Sequence, residues 1–334
     1  MNFCSSDYRP HFSPTQVCCA SFSSEIEWDG TDKVEFVFSP EMKALDVEAL
    51  RQQLDTRFVG VGDRLLYFPV VDSTNTVAMQ LAHERPEEGV VVLTDSQTAG
   101  KGRQGRQWVD VSGWNVLLST LLWPLFPPHM LVMVASLAVV NTIAETCRIS
   151  ANIKWPNDVL IGERKVAGIL IETSHDSAGH LVAVLGIGVN VNGHMRDLAG
   201  EATRWSDAPP GEQPQPKQVP LLATATTLET EYGQMLSRET FIAHLLRYIE
   251  TDYLALQQEA REVFSTAYRP TSRLIRERWR SQLSTLGRTI EVRQGDALIT
   301  GIAEDVDDNG ELLLRRHSGE QVRITWGDVG YPAS

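Results

Sequence analysis

The sequence predicts an α+β fold with a small C-terminal β-barrel, and three observations lead to that prediction. Short apolar segments rich in β-branched residues alternate with helical segments up to about residue 281, which is typical of helices packed on a sheet. Gly-Glu-Arg-Lys at 162–165 separates two such segments and has hairpin chemistry, which favours a mixed sheet over a doubly wound parallel one. After Gly287, short alternating runs separated by turn residues indicate a β-barrel.

The expected elements follow one another along the chain. Strands are predicted at 34–38, 65–71, 89–94, 115–123, 153–155, 159–161, 166–172, 181–190, 289–293, 298–304, 312–316 and 321–326. Helices are predicted at 47–54, 74–83 and near 129–147, with a helical zone over 221–281 and a surface loop at 205–220. Asp72 or Ser73 is the expected N-cap of the second helix. Met130 to Ala144 is too short to span a bilayer, which takes about 20 residues, and is predicted to be a core helix.

Length and charge limit the possible functions. The chain has 334 residues, enough for two domains. We expect an N-terminal extension of unknown role at 1–59, a catalytic domain at 60–281 and a barrel domain at 282–334. A net charge of −13 makes non-specific binding to DNA or anionic membrane unfavourable. Four cysteines without a CxxC pair, and no apolar leader segment, predict a cytoplasmic protein.

A glycine-rich basic segment, Gly-Lys-Gly-Arg-Gln-Gly-Arg-Gln-Trp, spans residues 100–108. It contains GxGxxG, but a spacer separates it from the preceding strand and no helical pattern follows, which argues against a dinucleotide fingerprint. Lys101, Arg103 and Arg106 carry positive charge, and no acid occurs between 96 and 109. The segment therefore predicts a loop that closes over a polyanion such as a nucleotide; on charge alone, a solvated basic loop fits equally well.

Two further segments combine cations with oxygen donors. Lys154 begins Lys-Trp-Pro-Asn-Asp, where Asn157 and Asp158 offer oxygen ligands suited to Mg²⁺. A strand end followed by an Asx turn is the simpler interpretation of this segment alone. Lys165 lies at the mouth of an apolar strand, where a partly buried ammonium needs an anion, and Gly168 leaves room for a ligand. A solvated hairpin lysine is the alternative.

Two polar segments complete the set. Asp-Ser-Thr-Asn at 72–75 could cap a helix or present hydrogen-bond partners to a ligand, and Gly-Ile-Gly-Val-Asn at 186–190 ends a strand at Asn190. The eight histidines form no HxxxH or HExxH pair, and there is no GxSxG or zinc-ligand spacing. Nothing therefore indicates hydrolysis through a covalent enzyme intermediate.

Taken together and in this order, the five segments resemble the biotin protein ligase family over about residues 60–330. The resemblance implies a catalytic domain like that of class II aminoacyl-tRNA synthetases and a C-terminal SH3-like barrel. It implies biotin, ATP and Mg²⁺ as substrates and cofactor, with biotinyl-5′-AMP as intermediate. The implied acceptor is a lysine of the biotin carboxyl-carrier domain of acetyl-CoA carboxylase or a related carboxylase.

The resemblance also assigns roles to residues of this chain. Lys165, Arg103 and Arg106 are the expected catalytic residues, and Asp158 is the expected metal ligand. The expected biotin-binding residues are Ser73, Thr74, Asn75, Gln97, Gly100, Lys101, Gly102, Arg103, Trp108, Lys165 and Gly168. The expected nucleotide-binding residues are Arg103, Arg106, Trp108, Asn115, Lys154, Asn157 and Asn190.

The chain departs from the family pattern at two points. Lys101 stands where arginine is usual, which keeps the charge but loses the guanidinium fork. Gly330 and Tyr331 follow Val329, where many relatives have a Leu-Arg pair, so any contact made by that arginine is absent or replaced.

Three alternatives stay open on the sequence. A lipoate–protein ligase would share the fold, although Ser73, Thr74 and Gln97 favour the ureido head of biotin over a dithiolane. A ligase that is also a DNA-binding repressor would need an N-terminal winged helix–turn–helix, but residues 1–59 have a net charge of −5 and lack two clear successive helices. A catalytically inactive binding module is the third. A homodimer is possible.

Overall fold

The computed structural model describes residues 44–84, 87–176, 179–194, 224–262 and 269–332. These residues belong to one compact unit, which spans 42–334. The strand expected at 34–38, the loop expected at 205–220 and most of the N-terminal extension lie outside the described residues.

A seven-stranded mixed sheet forms the larger part of this unit. Its strands are β1 (Leu65–Val71), β2 (Val91–Gln97), β3 (Val116–Leu122), β4 (Asn152–Lys154), β5 (Asp158–Ile161), β6 (Arg164–His175) and β7 (Leu181–Val189). They lie in the order β1-β2-β3-β7-β6-β5-β4. β1 and β2 run parallel, with Leu65 opposite Val91, and the other neighbouring pairs run antiparallel. This is the mixed arrangement that the hairpin chemistry predicts.

Helices cover both faces of this sheet. The described helices are α1 (Val47–Gln53), α2 (Thr74–Glu84), α3 (His129–Cys147), α4 (Leu228–Tyr232), α5 (Arg238–Arg261) and α6 (Pro270–Ser281). α2 packs on one face, where Ala78 and Ala82 join Val92 and Val184 in a small apolar cluster. α3 and α5 pack in the main core on the other face, which receives the alternate strand positions such as Leu93 and Leu185. α2 begins as predicted, because the Ser73 carbonyl accepts the Val77 N–H at 3.1 Å.

The predicted core helix is confirmed as α3. By length and composition α3 could cross a membrane, but 72% of its most apolar window is buried inside the protein. A helix that is apolar on all sides belongs in a core, and Leu131, Val134 and Ile143 are fully buried there. Arg148 ends the helix in the left-handed conformation, with φ of 55°.

A separate five-stranded antiparallel sheet forms the C-terminal part. Its strands are β8 (Thr289–Gln294), β9 (Ala297–Val306), β10 (Leu312–Arg315), β11 (Gln321–Ile324) and β12 (Asp328–Gly330), in the order β11-β10-β9-β8-β12. Trp279 of α6 is buried in one continuous cluster with Val292 and Leu312 of this sheet. The predicted α+β class, with a mixed sheet and a separate C-terminal β-sheet, is confirmed.

The strands of the structure differ from the sequence predictions at three points. β2 begins at Val91 and runs to Gln97, later than the expected 89–94, because Ser96 and Gln97 still pair with β1 despite their polarity. β4 ends at Lys154 instead of Trp155, where the cis peptide bond to Pro156 turns the chain. β12 was not predicted, because a strand of only three residues after Gly327 is too short to show an alternating pattern.

Candidate active site

A pocket lies on the α2 face of the large sheet, beyond the part that α2 covers. Gly186 and Gly188 of β7 share that face with Val182 and Val184, since side chains alternate along a strand. The pocket is lined by eleven of the sequence-predicted site residues: Ser73, Thr74, Asn75, Gln97, Lys101, Gly102, Arg103, Trp108, Asn157, Lys165 and Gly168. Four of the five motifs that were singled out as catalytic or binding segments are represented in this set, and Gly186 and Gly188 of the fifth also line it.

Glycines form the floor of the pocket. A Cβ atom on Gly188 would lie 2.6 Å from Cε2 of Trp108, and one on Gly186 would lie 2.1 Å from Oδ1 of Asn75. Gly168 of β6 stands opposite Gly188 in the sheet and also contacts Trp108. Only glycine lets these side chains approach the strands so closely.

Buried polar groups line the wall next to the start of α2. Ser73, Thr74 and Asn75 are all less than 5% exposed. The Thr74 N–H donates to Oε1 of Gln97 at 2.9 Å. The Ser119 hydroxyl lies 2.7 Å from Oγ1 of Thr74 and 2.6 Å from Oδ1 of Asn75. This wall offers matched donors and acceptors to a neutral polar ligand group.

Ser119 was missed by sequence reasoning. It lies in β3, where every residue is buried. The feature of the sequence that could have pointed to it is a serine within a mostly apolar strand. Its neighbours in the pocket are about 45 positions away in sequence, so the signal alone does not indicate a site.

The glycine-rich segment folds back on itself across the pocket. The Trp108 N–H donates to the Gly100 carbonyl at 2.9 Å, and the Gly102 N–H donates to the Arg106 carbonyl at 2.7 Å. Gln104 at its tip adopts a left-handed conformation with φ of 57°. These bonds close residues 100–108, here called the adenylate loop, into a compact turn. Gly100, which is buried beside Gln97 and Trp108, and Arg106 do not line the pocket.

Three cations of the adenylate loop each contact a residue outside the loop. Lys101 Nζ lies 3.2 Å from Oε1 of Glu172 in β6. Nη1 of Arg103 donates to Oδ1 of Asn157 at 2.9 Å, and burial lowers the pKa of Arg103. Arg106 forms an ion pair with Asp328 of β12. These contacts hold the loop over the pocket.

A bulge in β6 directs Lys165 into the site. Lys165 is opposite Leu160 and Ala167 is opposite Val159, so Val166 is an extra residue in β6. Val166 and Ala167 are therefore both buried in the core, while Lys165 and Gly168 share the pocket face. Lys165 Nζ lies 2.6 Å from Oδ1 of Asp158 and 5.6 Å from the centre of the Trp108 ring.

Lys154 and Asp158 border the site without lining the pocket. Burial lowers the pKa of Lys154, and the nearby Asp158 opposes that shift. Lys154 Nζ lies 5.3 Å from the ring centre of Tyr331. Within the described ranges no group of three or more His, Cys, Asp or Glu could hold a metal ion. A single carboxylate at Asp158 fits Mg²⁺ that keeps most of its other ligands as water and phosphate oxygens.

Besides Arg106 and Lys154, two further predicted nucleotide-binding residues lie outside the pocket lining. Asn190 is buried, and its Nδ2 donates to the Thr226 carbonyl at 3.1 Å. Asn115 is 2% exposed, and its carbonyl accepts from Nη1 of Arg238 at 3.4 Å. The Asn190 side chain thus supports the neighbouring backbone, whereas Nδ2 of Asn115 is buried without a hydrogen-bond partner; the nucleotide contacts of both residues stay predictions.

Two acidic residues near the pocket were not predicted. Asp110 accepts the Gln97 N–H at 3.2 Å, and burial raises the pKa of Asp110 to about 6. Glu172 Oε2 accepts from Nδ2 of Asn75 at 2.8 Å as well as pairing with Lys101. Asp110 and Glu172 each contact a residue that is expected to touch biotin.

Comparison with known proteins assigns this fold and pocket to the class of biotin and lipoate ligases. The sequence model of the "Biotin/lipoate A/B protein ligase family" matches residues 67–192. That of the "Biotin protein ligase C terminal domain" matches residues 285–329. The chain belongs to the biotin protein ligase family, and the resemblance noted in the sequence is confirmed.

Individual relatives agree with this assignment. The chain is 32% identical over 262 residues to "Bifunctional ligase/repressor BirA" of Bacillus subtilis, covering 78% of this chain and 71% of the relative. It is 34% identical over 256 residues to "Biotin--[acetyl-CoA-carboxylase] ligase" of Paracoccus denitrificans, covering 75% and 94%. The solved biotin protein ligase from Aquifex aeolicus in complex with biotin and ATP superposes with a TM-score of 0.60 at 25% identity, covering 79% of this chain and 97% of that one.

Proposed function

We propose that this chain attaches biotin to a lysine of the biotin carboxyl-carrier domain of acetyl-CoA carboxylase or a related carboxylase, through biotinyl-5′-AMP. The observation that carries the proposal is that one pocket contains both a buried neutral polar wall and the cations Lys165 and Arg103. Such a pocket suits a ligand with a neutral polar head and a carboxylate that must meet a phosphate.

In this proposal, the ureido ring of biotin binds against the polar wall. Ser73, Thr74, Asn75 and Gln97 offer hydroxyl and amide groups to the ureido ring, which needs donors and acceptors when buried. Lipoate has no comparable polar head, so it would leave these buried groups unpaired. The wall therefore favours biotin.

The first step joins two anions, so positive charge must lie between them. A biotin carboxylate oxygen attacks the α-phosphorus of ATP, the bond to the bridging oxygen breaks, and pyrophosphate leaves with that electron pair. Lys165 is placed to bridge the carboxylate and the α-phosphate once it leaves Asp158, which it contacts at 2.6 Å. Arg103 is placed to stabilise the charge that develops on the phosphate.

The adenylate loop protects the product of this step. Trp108 and the backbone of residues 100–108 cover the pocket, and a closed loop excludes water that would hydrolyse the mixed anhydride. In this proposal, phosphate oxygens are held by Lys154, Arg106 and Asn157. Asp158 would help to hold Mg²⁺ bound with ATP, and that ion would neutralise charge on the phosphates.

In the second step, a neutral acceptor amine attacks the acyl carbon of the adenylate. The bond from that carbon to the phosphate oxygen breaks, AMP leaves, and the amine proton passes to water or to AMP.

The proposal also includes domain limits at 60–281 and 282–334 and a cytoplasmic location. The free buried thiol of Cys147 supports the cytoplasmic location.

The proposal is tested by mixing the protein with MgATP, a biotin carboxyl-carrier domain and either biotin or lipoate, and weighing the acceptor intact by mass spectrometry. We expect one added biotin, no added lipoate, and a loss of at least about 100-fold in rate for Lys165→Ala, as expected when a charge-stabilising group is removed. Lipoate transfer in place of biotin transfer would contradict the proposal.

A further inference from the structure

Glu172 occupies an unusual position between the adenylate loop and the polar wall. It lies on β6 opposite Val184 of β7, on the same sheet face as Gly168 and the pocket. One carboxylate oxygen lies 3.2 Å from Lys101 Nζ, and the other accepts from Nδ2 of Asn75 at 2.8 Å. Glu172 therefore contacts the loop and the wall at once, although it does not line the pocket.

The contact with Asn75 fixes which way that side-chain amide faces. Because an ionised carboxylate only accepts hydrogen bonds, Asn75 must turn its NH₂ group toward Glu172. Oδ1 of Asn75 then faces the Ser119 hydroxyl at 2.6 Å. Ser119 in turn contacts Thr74, whose backbone N–H donates to Gln97. A chain of polar contacts thus runs from the loop cation to the groups proposed to bind the biotin head.

The ion pair alone would contribute little. The side chains of Lys101 and Glu172 are 42% and 34% exposed, and ion pairs with that exposure contribute little to stability. Asn75, however, is 3% exposed, so loss of the carboxylate leaves a buried amide free to reverse. Loss of the Glu172 carboxylate should therefore weaken the binding of biotin at the wall more than it lowers the free energy of unfolding.

We propose that Glu172 is a positioning residue that couples closure of the adenylate loop to binding of biotin. Its carboxylate orients the Asn75 amide for the biotin head and holds Lys101 with the loop closed. A correctly oriented wall and a closed loop then stabilise each other. The inference rests on the proposed function, since it takes biotin as the ligand of the wall.

Glu172→Gln tests the coupling because glutamine keeps the shape but offers an NH₂ group that permits the reversed Asn75 amide. We expect its KM for biotin to rise about tenfold and its KM for ATP to change less than twofold. Without an acceptor, the variant should also release biotin and AMP several-fold faster than the unmodified protein. Glu304→Gln, which breaks an exposed pair with Arg315 in the C-terminal sheet, is the matched control and should change none of these.

A second measurement does not depend on activity. Trypsin cleaves after Lys101, Arg103 and Arg106 when the loop is open, and the fragments are identified by mass spectrometry. Biotin alone should protect these bonds at least fivefold in the unmodified protein and less than twofold in Glu172→Gln. Lys101→Met, read at Arg106, should also lose protection but raise the KM for biotin less, since it leaves the contact of Glu172 with Asn75 intact.

The outcomes separate this inference from the proposed function. Failure of the unmodified protein to modify the acceptor with biotin would count against the proposed function, whereas biotin-dependent protection of the loop is read without turnover. Equal protection in the unmodified protein and Glu172→Gln, or no protection in either, would overturn the coupling. If Glu172→Gln does not fold, equal protection in Lys101→Met and the unmodified protein would overturn it.

Discussion

Asp110 shows how one residue near the site makes stability depend on pH. Its carboxyl group has a pKa raised by burial from 3.8 to about 6. Between these two values the folded protein holds a proton that the unfolded chain releases, so the contribution of Asp110 to stability falls as pH rises from about 4 to about 6. Above that range the ionised group is a constant cost.

We therefore expect Asp110→Asn to stabilise the protein more at pH 7 than at pH 4.5, relative to the unmodified chain. Asparagine keeps an oxygen that can accept the Gln97 N–H, so the contact with the polar wall is retained. Urea denaturation at the two pH values measures the difference in unfolding free energy. A difference that does not change with pH would show that Asp110 is not the titrating group.

At the residue scale, sequence reasoning finds groups that occur in motifs and misses groups that act across the fold. Lys165, Arg103 and Thr74 each belong to a short segment with recognisable chemistry, and the pocket brings them together. Glu172 and Ser119 are single polar residues in apolar strands, and their partners lie 44 to 97 positions away. Asn190 and Asn115 lie outside the pocket lining, since a position in the sequence does not reveal whether a side chain faces the pocket, and their nucleotide contacts stay predictions.

At the scale of elements, β7 limits how the site can change. Gly188 admits the Trp108 ring to within contact of the strand, and its alternation with core residues keeps the opposite face packed against α3 and α5. The pattern of a buried strand could be predicted, but the need for glycine arises only from the distant side chain that covers it.

Gly188→Ala should displace the Trp108 ring. Overpacking of this kind costs about 1–3 kcal/mol; because this cost falls on the closed state in which adenylate forms, adenylate formation should slow by about five- to 150-fold. The measurement is the rate of biotinyl-AMP formation at saturating substrates. Gly330→Ala is the control, because its Cβ would lie 3.8 Å from the nearest atom; an equal loss in both variants would contradict the packing argument.

A buried ion pair joins α5 to the parallel edge of the sheet. Nη1 of Arg238 lies 2.7 Å from Oδ1 of Asp95, and both side chains are less than 10% exposed. The Tyr67 hydroxyl also donates to Asp95, and together with burial this raises the pKa of Tyr67. The pairing helps to hold Asp95 in β2, one residue beyond the predicted end of this strand at 94.

Arg238→Ala should lower the free energy of unfolding by about 3–5 kcal/mol, because it leaves a buried carboxylate without its cation. Urea denaturation measures this loss. Combining it with Asp95→Asn should cost less than the sum of the two single changes. Additive losses would show that the two residues do not act as a pair.

At the scale of the whole molecule, the C-terminal sheet contributes to the site. Asp328 of β12 pairs with Arg106 of the adenylate loop, and Tyr331 lies beside Lys154 and Arg288. The sequence predicts a small β domain at 282–334, and the structure has a separate five-stranded sheet in this part of the chain. Its contact with the loop joins residues 222 positions apart, which no local pattern can indicate.

Asp328→Asn should raise the KM for ATP about two- to fivefold, since exposed ion pairs contribute up to about 1 kcal/mol. The KM for biotin should change less than twofold, because Arg106 lies outside the lining of the pocket. Steady-state kinetics with each substrate varied in turn measures both. Equal changes in the two constants would mean that the contact acts on the whole fold instead of the phosphate side.

The central claim is that this one pocket forms biotinyl-5′-AMP. Exchange of labelled pyrophosphate into ATP tests it most directly, since exchange reports the first step without any acceptor. We expect exchange that depends on biotin, none with lipoate, and a loss of at least about 100-fold in Lys165→Ala. Absence of biotin-dependent exchange in the folded, unmodified protein would contradict the account.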